Sequence, residues 1–551
     1  MHQKNMPKYL YPKNSIELKE WSQFERYKYQ KVLPILADRF NQVHELNESK
    51  LFWEQVLGRF LLIHISQCHY FYKRKDSQSN SVQGFQLKQI YNEDEHRSLF
   101  VESDYGHNLF FSIYHNKPLE KLKNCNPIHS EPKRLSNRLS LIKSKGIIFL
   151  IQKVIERILS IIIKPNTLLF EVYWKDSSKF NIQLKSMGKA QFVKLPLIEK
   201  YIKKVIDKKA RFTISKTDET FDQFDKLFFR SLEYSLPASL IENFKKRLNV
   251  ISDFLKKYHP VKNLLNESMS PDAMLLIALS KKQGCKTFYI EHNFLQHQFI
   301  GNIIWYIKRK FDYFLSMGWN VSNDQKHIPL SSNYDWYRPS KARKKYRLLY
   351  ISTISVNKMA NTTSSYGESG YYFSKFYHNF RKQFFNSLNE NILNKVYFRA
   401  YPKSRQYNYY IPEQNIEFED WIKNKVAYYD DYDTSDFNQL MRQSGLCICD
   451  YLSTPYNQLL IGNIPSIILM NNKTYLLEKK YRNIFSQLID AKIVFLDPTE
   501  AALFINENIE SINEWWNSKH VQSARKDYLK KNFGKPNKLN DFILKIAREP
   551  N

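Results

Sequence analysis

The first part of the chain, from Ile16 to Lys75, carries apolar residues at three- and four-residue spacing and has Pro34 as its only proline. This spacing places the apolar side chains on one face of a helix. The sequence therefore predicts a helical N-terminal segment, which ends in a polar stretch from Lys75 to Gly84.

A later stretch, from Gly146 to Pro165, is rich in Ile and Leu, and its charged residues Lys153, Glu156 and Arg157 cluster together. The pattern predicts an amphipathic helix that follows a basic, exposed connection. We expect this helix to pack within the protein. The alternative is that it docks on a membrane surface.

From Lys262 onward, short β-rich runs alternate with helical patterns. The run KNLLNES is followed by the helical pattern SPDAMLLIALSKKQG, and then by the runs KTFYIEHN and FDYFLS. Helices that lie between strands in the chain indicate parallel pairing, so this part predicts an α/β sheet.

A second alternating series begins with the strand pattern at Tyr346–Thr353, after a polar, proline-containing stretch near Asn323–Lys344. Its further strands are NKVYFRAYP, KVAYYDD, LCICDY, IPSIILM and KIVFLD, and its helices are DTSDFNQLMRQSG, a short one near Tyr456–Ile461, TYLLEKKYRNIFSQLIDA and TEAALFINENI. This series predicts a doubly wound domain. We place the domain boundary in the polar stretch, which gives residues 1–325 and 326–551.

The 551 residues include 84 Lys and Arg against 54 Asp and Glu, a formal net charge of +30. Such a charge attracts phosphates, nucleic acid or an anionic membrane surface. The enrichment in Lys, Asn, Ile, Tyr and Phe is also what an A- and T-biased coding sequence produces, so the charge alone identifies no partner.

Cysteine usage and hydropathy indicate a cytoplasmic protein. The five cysteines are an odd number, and Cys447 and Cys449 share one face of a predicted strand, where buried packing is favoured over metal binding. We expect reduced thiols. The N-terminus carries no apolar core of signal-peptide length, and no apolar run reaches about 18 residues, so we expect no secretion by that route and no membrane span.

Candidate catalytic residues follow the strand pattern KTFYI. Glu291 and His292 come directly after it, where a carboxylate and an imidazole can act as a general base or contact a leaving group. The structural alternative is that both residues cap a loop or pair with one of the many lysines.

Candidate phosphate-binding residues follow three strands of the second series, because ligands bind beyond the carboxyl ends of parallel strands. Arginine and lysine side chains suit phosphate oxygens, and hydroxyls at a helix start suit a diphosphate or ribose. An ordinary N-capping turn is the alternative for the last group. These residues are Ser352 and Thr353, Arg399 and Lys403, and Ser453, Thr454 and Gln458.

Several enzyme classes lose support because their motifs are missing from the sequence. It contains no G-x-x-x-x-G-K-[ST], H-E-x-x-H or G-x-S-x-G pattern, and no four-ligand Cys/His arrangement. We also see no clean D-x-D motif that would suggest a metal-dependent glycosyl donor site. We therefore expect no metal ion and no cofactor.

The chain resembles a family of transferases assigned to surface carbohydrate biosynthesis, which is distantly similar to the GT-B enzymes that build capsules and teichoic-acid-like polymers. The resemblance extends from about Phe24 to Phe533. The matching positions are Asn41, His44, Ser49, Trp53 and Gly58 near the start, His292, Gly318 and Trp319 in the middle, and Arg399, Tyr401, Pro402, Asn463, Pro465, Trp515 and Trp516 toward the end. Glu291 and Asn293 replace a usual Gln and Gly.

This resemblance implies an α/β fold of the GT-B type, with two Rossmann-like domains facing a cleft and a helical N-terminal segment. It implies a metal-independent glycosyltransferase that uses a nucleotide-sugar donor and a glycan or lipid-linked glycan acceptor in cell-surface polysaccharide synthesis. The donor would bind the C-terminal domain, and Glu291 and His292 would face it from the N-terminal domain. Peripheral contact with an anionic membrane at its inner face fits this role.

Three other functions stay open at this point. A CDP-alditol phosphotransferase would use the same cleft, and a non-catalytic GT-B-fold relative would explain the altered residues around His292. Nucleic-acid binding would exploit the positive charge and the aromatic residues, but no RNP-like or helix-turn-helix motif supports it.

Overall fold

The computed structural model describes most of the chain. The described residues are 15–73, 90, 105–115, 151–152, 154–159, 162–174, 176–196, 205–291, 296–300, 302, 304–320, 324–330, 346–353, 370–401, 413–430, 437–452, 454–472, 475–533 and 538–549. All structural statements below concern these residues.

The chain starts with two long helices, α1 (Ser15–His44) and α2 (Lys50–Lys73), which confirm the predicted helical segment. The turn between them is fixed by Asn41, whose side-chain oxygen accepts hydrogen bonds from the backbone of Glu48 at 2.9 Å and from the indole of Trp53 at 2.8 Å. A third helix, α3 (Tyr105–Tyr114), packs on α2.

The first sheet has six parallel strands in the order β2-β1-β3-β4-β5-β6. The strands are β1 (Thr167–Phe170), β2 (Ala190–Val193), β3 (Asn263–Asn266), β4 (Lys286–Ile290), β5 (Tyr313–Ser316) and β6 (His327–Pro329). The helices of this part are α4 (Asp176–Lys185), α5 (Lys208–Ser215), α6 (Gln223–Ser235), α7 (Phe244–Tyr258), α8 (Pro271–Lys282) and α9 (Ile304–Lys310).

The α/β alternation begins earlier than the sequence pattern predicted. We expected it from Lys262, but β1 and β2 precede that residue, and β6 lies inside the polar stretch assigned to the domain connection. These strands are only three or four residues long, and β1 is buried along its whole length, so none shows the alternation that marks a half-exposed strand.

The second sheet also has six parallel strands, in the order β12-β11-β10-β7-β8-β9. Its strands are β7 (Tyr346–Ile351), β8 (Val396–Arg399), β9 (Tyr428–Asp430), β10 (Ser444–Cys449), β11 (Ser466–Leu469) and β12 (Val494–Phe495). Its helices are α10 (Gly370–Asn386), α11 (Glu390–Leu393), α12 (Glu413–Lys423), α13 (Phe437–Gln443), α14 (Thr454–Ile461), α15 (Arg482–Asp490), α16 (Pro498–Asn508), α17 (Ile512–Asn517) and α18 (Lys519–Asn532). All predicted strands of this half are confirmed.

One predicted helix of the second half was too long. We expected a single helix through TYLLEKKYRNIFSQLIDA, but α15 starts at Arg482, after a 3-10 turn at Lys479–Tyr481. The preceding residues are extended because they pair with the first half: Leu477 bridges Phe299, and the backbone of Ile300 donates to Leu476. Tertiary pairing overrides the helical propensity of this segment.

The last helix, α19 (Lys538–Arg548), returns to the first sheet. Its apolar face, which includes Leu539, Ile543 and Ile546, is buried in one core cluster with residues of β1, β3 and β4. The side chain of Asn166, just before β1, donates to the carbonyl of Glu549 at 2.9 Å. The C-terminal helix therefore covers the N-terminal sheet.

The stretch predicted as an amphipathic helix is helical at residues 151–152 and 154–159. It packs beside α4 and β2, since Gln183 donates to the carbonyl of Glu156 and Gln191 donates to that of Ile163. This confirms that one side of the helix packs within the protein. Among the helices that the structure describes, none is long and apolar enough to cross a membrane.

Candidate functional site

The strand orders locate the places where ligands bind in such sheets. The second sheet has the Rossmann order, with β7 and β10 as the central neighbours from which the chain winds in opposite directions. In the first sheet the corresponding pair is β1 and β3. Ligands bind beyond the carboxyl ends of strands at such switch points.

A buried ion pair lies at the switch point of the second sheet. Asp450 follows β10, and its carboxylate accepts hydrogen bonds from Arg381 of α10 at 2.8 Å and from the hydroxyl of Tyr377 at 2.6 Å. The Arg381 guanidinium also donates to the carbonyl of Thr353, directly after β7, and lies over the Tyr377 ring. Burial raises the pKa of Asp450, and the charge of Arg381 opposes this effect.

The predicted residues Ser352, Thr353 and Arg399 lie together at this edge. The backbone of Ser352 donates to the carbonyl of Arg399 at 3.1 Å across β7 and β8. Ser352 itself is buried, and its hydroxyl donates to the carbonyl of Thr353 at 3.1 Å. The half-buried guanidinium of Arg399 stacks on Phe437 at 4.4 Å. Their roles in phosphate binding stay predictions.

The predicted strand-to-helix turn after β10 is present. Thr454 is the first residue of α14, which places the free backbone N–H groups of this helix at the same sheet edge. Gln458, one turn further, is buried, and its neighbour Asn457 accepts a hydrogen bond from Tyr528 at 3.1 Å. Lys403 and Ser453 lie outside the described residues.

Glu291 lies at the carboxyl end of β4, as predicted, and is 5% exposed. Its Oε2 accepts hydrogen bonds from the backbone of Met317 at 2.9 Å and from the indole of Trp319 at 2.8 Å. Glu291 therefore positions the turn after β5 that contains Gly318, whose φ of 126° suits glycine. His292 lies outside the described residues, and the role of general base stays a prediction for both residues.

His297 is a residue of this region that the sequence analysis named no role for. Its ring stacks on Trp319 at 3.8 Å, and its Nδ1 lies 4.0 Å from Oε1 of Glu291. Burial lowers the pKa of His297 well below its usual range, so the ring is neutral at pH 7. The only sequence signal that placed His297 near this site was its position five residues after His292.

Two further glutamates follow the switch-point strands of the first sheet, and the sequence analysis missed both. Glu171 follows β1 and accepts a hydrogen bond from Ser270 at 2.5 Å. Glu267 follows β3 and accepts hydrogen bonds from the indole of Trp174 and from the backbone of Tyr173 at 3.0 Å. The Tyr173 side chain is 60% exposed beside them. The missed strand β1 is the reason that this group was not recognised.

Contacts between the two halves lie beside His297. Gln298 donates to the side chain of Asn532 in α18 at 2.9 Å and accepts from Tyr456 of α14 at 3.2 Å. Its carbonyl accepts from the backbone of Glu478 at 2.8 Å. The 3-10 turn Gln296–Gln298 is therefore fixed to the second half of the chain.

Within the described residues, no group of three or more His, Cys, Asp or Glu side chains is arranged to hold a metal ion. The four cysteines described, Cys68, Cys285, Cys447 and Cys449, are buried free thiols. The strand pattern predicted the burial of Cys447 and Cys449.

Two parallel, doubly wound sheets in one chain, each with polar side chains gathered at its switch point, define an α/β fold of the GT-B type. The family model of the LIC12162 family transferases matches residues 5–543, and the chain belongs to this family. The predicted transferase family is thereby confirmed. No curated protein sequence matches the chain.

Solved structures that are similar to this chain include the following three proteins. A glycosyltransferase from Rickettsia africae is 12% identical, with a TM-score of 0.38, over 70% of this chain and 100% of its own. Anabaena HepE, solved with UDP and glucose, is 9% identical, with a TM-score of 0.37, over 70% and 98%. The wall teichoic acid polymerase TagF is 11% identical, with a TM-score of 0.33, over 75% and 97%.

Proposed function

We propose that this transferase moves a sugar from a nucleotide-activated donor to a glycan or lipid-linked glycan acceptor in cell-surface polysaccharide synthesis, without a metal ion. The observation that carries the proposal is the carboxyl edge of the second sheet. There Arg399, the start of α14 and the switch point of a Rossmann-order sheet occur together.

The donor diphosphate would lie at this edge. Arg399 follows Phe398 at the end of β8, and stacking on Phe437 fixes the plane of its guanidinium. A planar guanidinium can hold two phosphate oxygens at once. The N-terminus of α14 adds backbone donors and the positive end of the helix dipole, with Ser453 and Thr454 as side-chain donors and Lys403 as a second cation.

Fixed positive groups would replace a metal in stabilising the departing nucleotide. The developing charge on the leaving phosphate is stabilised by donors that are already oriented before reaction. The buried pair Arg381–Asp450 contributes by holding the Thr353 carbonyl and the α10 side chains in place behind this edge. No cofactor other than the donor is proposed.

The acceptor would approach from the first sheet. Glu291 or His292 would take the proton from the attacking hydroxyl, which requires a basic group within hydrogen-bond distance of it. The contacts of Glu291 with Met317 and Trp319 suit a positioning role, which leaves His292 as the stronger candidate for the base. The exposed ring of Tyr173, beside Glu171 and Glu267, would face the acceptor sugar.

Thermal-shift binding tests the donor site. The purified chain is measured with CMP, CDP, UDP, GDP and dTDP, because a ligand that binds only the native state raises its melting temperature. We expect one nucleotide to stabilise the protein and Arg399→Ala to lose that stabilisation. Lys395→Ala is the matched control, since Lys395 is an exposed cation that directly precedes the first residue of β8, whereas Arg399 is its last residue.

The outcome separates the proposed function from its competitors. A nucleotide response that survives Arg399→Ala would overturn the assignment of this residue, and a response to no nucleotide would favour a non-catalytic relative. Product analysis distinguishes sugar transfer from alditol phosphate transfer, because only the second product contains phosphorus in the new linkage.

A further inference from the structure

One side of the helical segment at residues 151–159, together with Ile162 just beyond it, is apolar and exposed. The side chains of Ile151, Val154, Ile158 and Ile162 are 48 to 70% exposed. Their spacing of three, four and four residues places them within an arc of about 80° on an α-helix. An apolar stripe of this kind is unusual on a surface that faces only water.

Two more exposed apolar residues lie on the element that packs against this helical segment. Leu184, near the end of α4, and Met187, in the turn after it, are 48% and 65% exposed. The turn packs closely against the helical segment, since a Cβ on Gly188 would lie 3.3 Å from the side chains of Leu159 and Ile163. We call the six residues Ile151, Val154, Ile158, Ile162, Leu184 and Met187 the apolar face.

Basic residues flank the apolar face. Arg157 and Lys164 are exposed and close in sequence to Ile158 and Ile162, and the exposed Lys185 neighbours Leu184. Between residues 151 and 164 the sequence contains one acidic residue, Glu156, against three basic residues, Lys153, Arg157 and Lys164. The charge beside the face is therefore positive.

We propose that the apolar face docks on an anionic lipid bilayer. A helix with an apolar stripe and Lys or Arg beside it lies in the headgroup region, where the aliphatic side chains enter the acyl boundary and the cations contact lipid phosphates. The formal charge of +30 for the whole chain acts in the same direction. The inference does not depend on the donor proposed above.

A second copy of the chain fits this face less well than a membrane. A symmetric dimer through the apolar face would bring the basic flanks of both copies together, because a twofold interface uses the same patch on each subunit. Like charges placed opposite each other in an interface oppose association. An anionic surface instead neutralises them.

Co-sedimentation with vesicles tests the proposal on the full chain. We expect binding to vesicles of phosphatidylcholine with phosphatidylglycerol, and at least tenfold weaker binding to phosphatidylcholine alone. The double variant Ile158→Gln, Ile162→Gln should lose at least tenfold in affinity for the anionic vesicles. Glutamine is a good helix former and the sites are exposed, so circular dichroism and nucleotide binding should be unchanged.

The matched control is the double variant Ile416→Gln, Leu503→Gln, which removes two exposed apolar side chains from α12 and α16, helices of the other sheet. It should bind the vesicles like the wild type. Unchanged binding by the 158/162 variant, equal loss in the control, or equal binding to both vesicle types would overturn the proposal. So would a wild-type dimer in size-exclusion chromatography with light scattering that the 158/162 variant converts to a monomer.

Discussion

At the scale of single residues, the pair Arg381–Asp450 is the clearest case of a buried charge that depends on its partner. Removing one member of a buried pair costs about 3–5 kcal/mol because the other charge stays buried without compensation. We expect Arg381→Met to lower the free energy of unfolding by that amount in urea titrations. The double variant Arg381→Met, Asp450→Asn should recover part of the loss, and strictly additive losses would contradict the pairing.

Histidines buried in the neutral form predict loss of stability in acid. Burial lowers the pKa of His44 to about 4 in the folded state, against an ordinary value of 6.5. Above pH 6.5 neither state binds the proton; as the pH falls from 6.5 toward 4, the unfolded state binds it first and becomes favoured. The slope reaches at most about 1.4 kcal/mol per pH unit for each such histidine.

The test is His44→Gln, which keeps a donor for the carbonyl of Leu240 and removes the titrating ring. Urea midpoints measured between pH 6.5 and 4 should fall less steeply in this variant than in the wild type. Identical slopes would show that His44 does not contribute to the acid sensitivity.

At the scale of elements, the contact of α2 with α1 and α9 depends on the absence of a side chain at Gly58. A Cβ there would lie 2.5 Å from Nζ of Lys310, 2.6 Å from Oη of Tyr306 and 2.8 Å from Oη of Tyr29. All three side chains are fully buried. We expect Gly58→Ala to cost about 1–3 kcal/mol despite its better helix propensity. Leu51→Ala, at an exposed site of the same helix, should change stability by less than about 0.5 kcal/mol.

The packing of α19 on the first sheet makes a second prediction for an element. Ile543 is fully buried in the core cluster that also contains Leu169 and Phe288. Ile543→Ala should lower the free energy of unfolding by about 2–5 kcal/mol, because it leaves a cavity against the sheet. Leu544→Ala, one residue along and only half-buried, is the control and should cost less.

The elements that the sequence predicted well are those with a long or strongly patterned signal. The helices α1 and α2 span several turns, and the strands from β9 to β12 are separated by helical patterns. The helices α10, α11 and α12, which lie between β7, β8 and β9, were not predicted. The strands β1 and β2 were missed because four residues are too few to show a periodicity in the sequence. The start of α15 was misplaced because its preceding residues pair with a distant loop, which no local pattern records.

The sequence predicted the sheet edge at which the candidate site lies, but it did not predict the side-chain contacts within the site. The local sequence indicates that Ser352 follows β7, that Arg399 ends β8 and that Thr454 begins α14. The order of the strands then brings these residues to one sheet edge. Arg381 and Tyr377 lie in the middle of α10, far in sequence from any strand end. Only the folded structure therefore shows that they contact Asp450. The family motif residues Asn41 and Gly58 fix helix packing.

At the scale of the whole molecule, the loop after β4 connects the two halves through Gln298. Gln298→Ala would remove its hydrogen bonds with Asn532 and Tyr456, and an unsatisfied buried group costs about 1–3 kcal/mol. We expect amide hydrogen exchange to become about tenfold faster at Ile300 and Glu478, whose N–H groups cross between the halves. Exchange in β7 and β10 is the internal control and should not change.

The return of α19 to the first sheet has a consequence for how the chain folds during synthesis. The strands of that sheet leave the ribosome long before residues 538–549, which cover one of its faces. Domains generally fold as units in the order of their synthesis. The sheet that is made first is therefore completed last, and a nascent chain interrupted before α19 exposes the apolar surface that Leu539, Ile543 and Ile546 would bury.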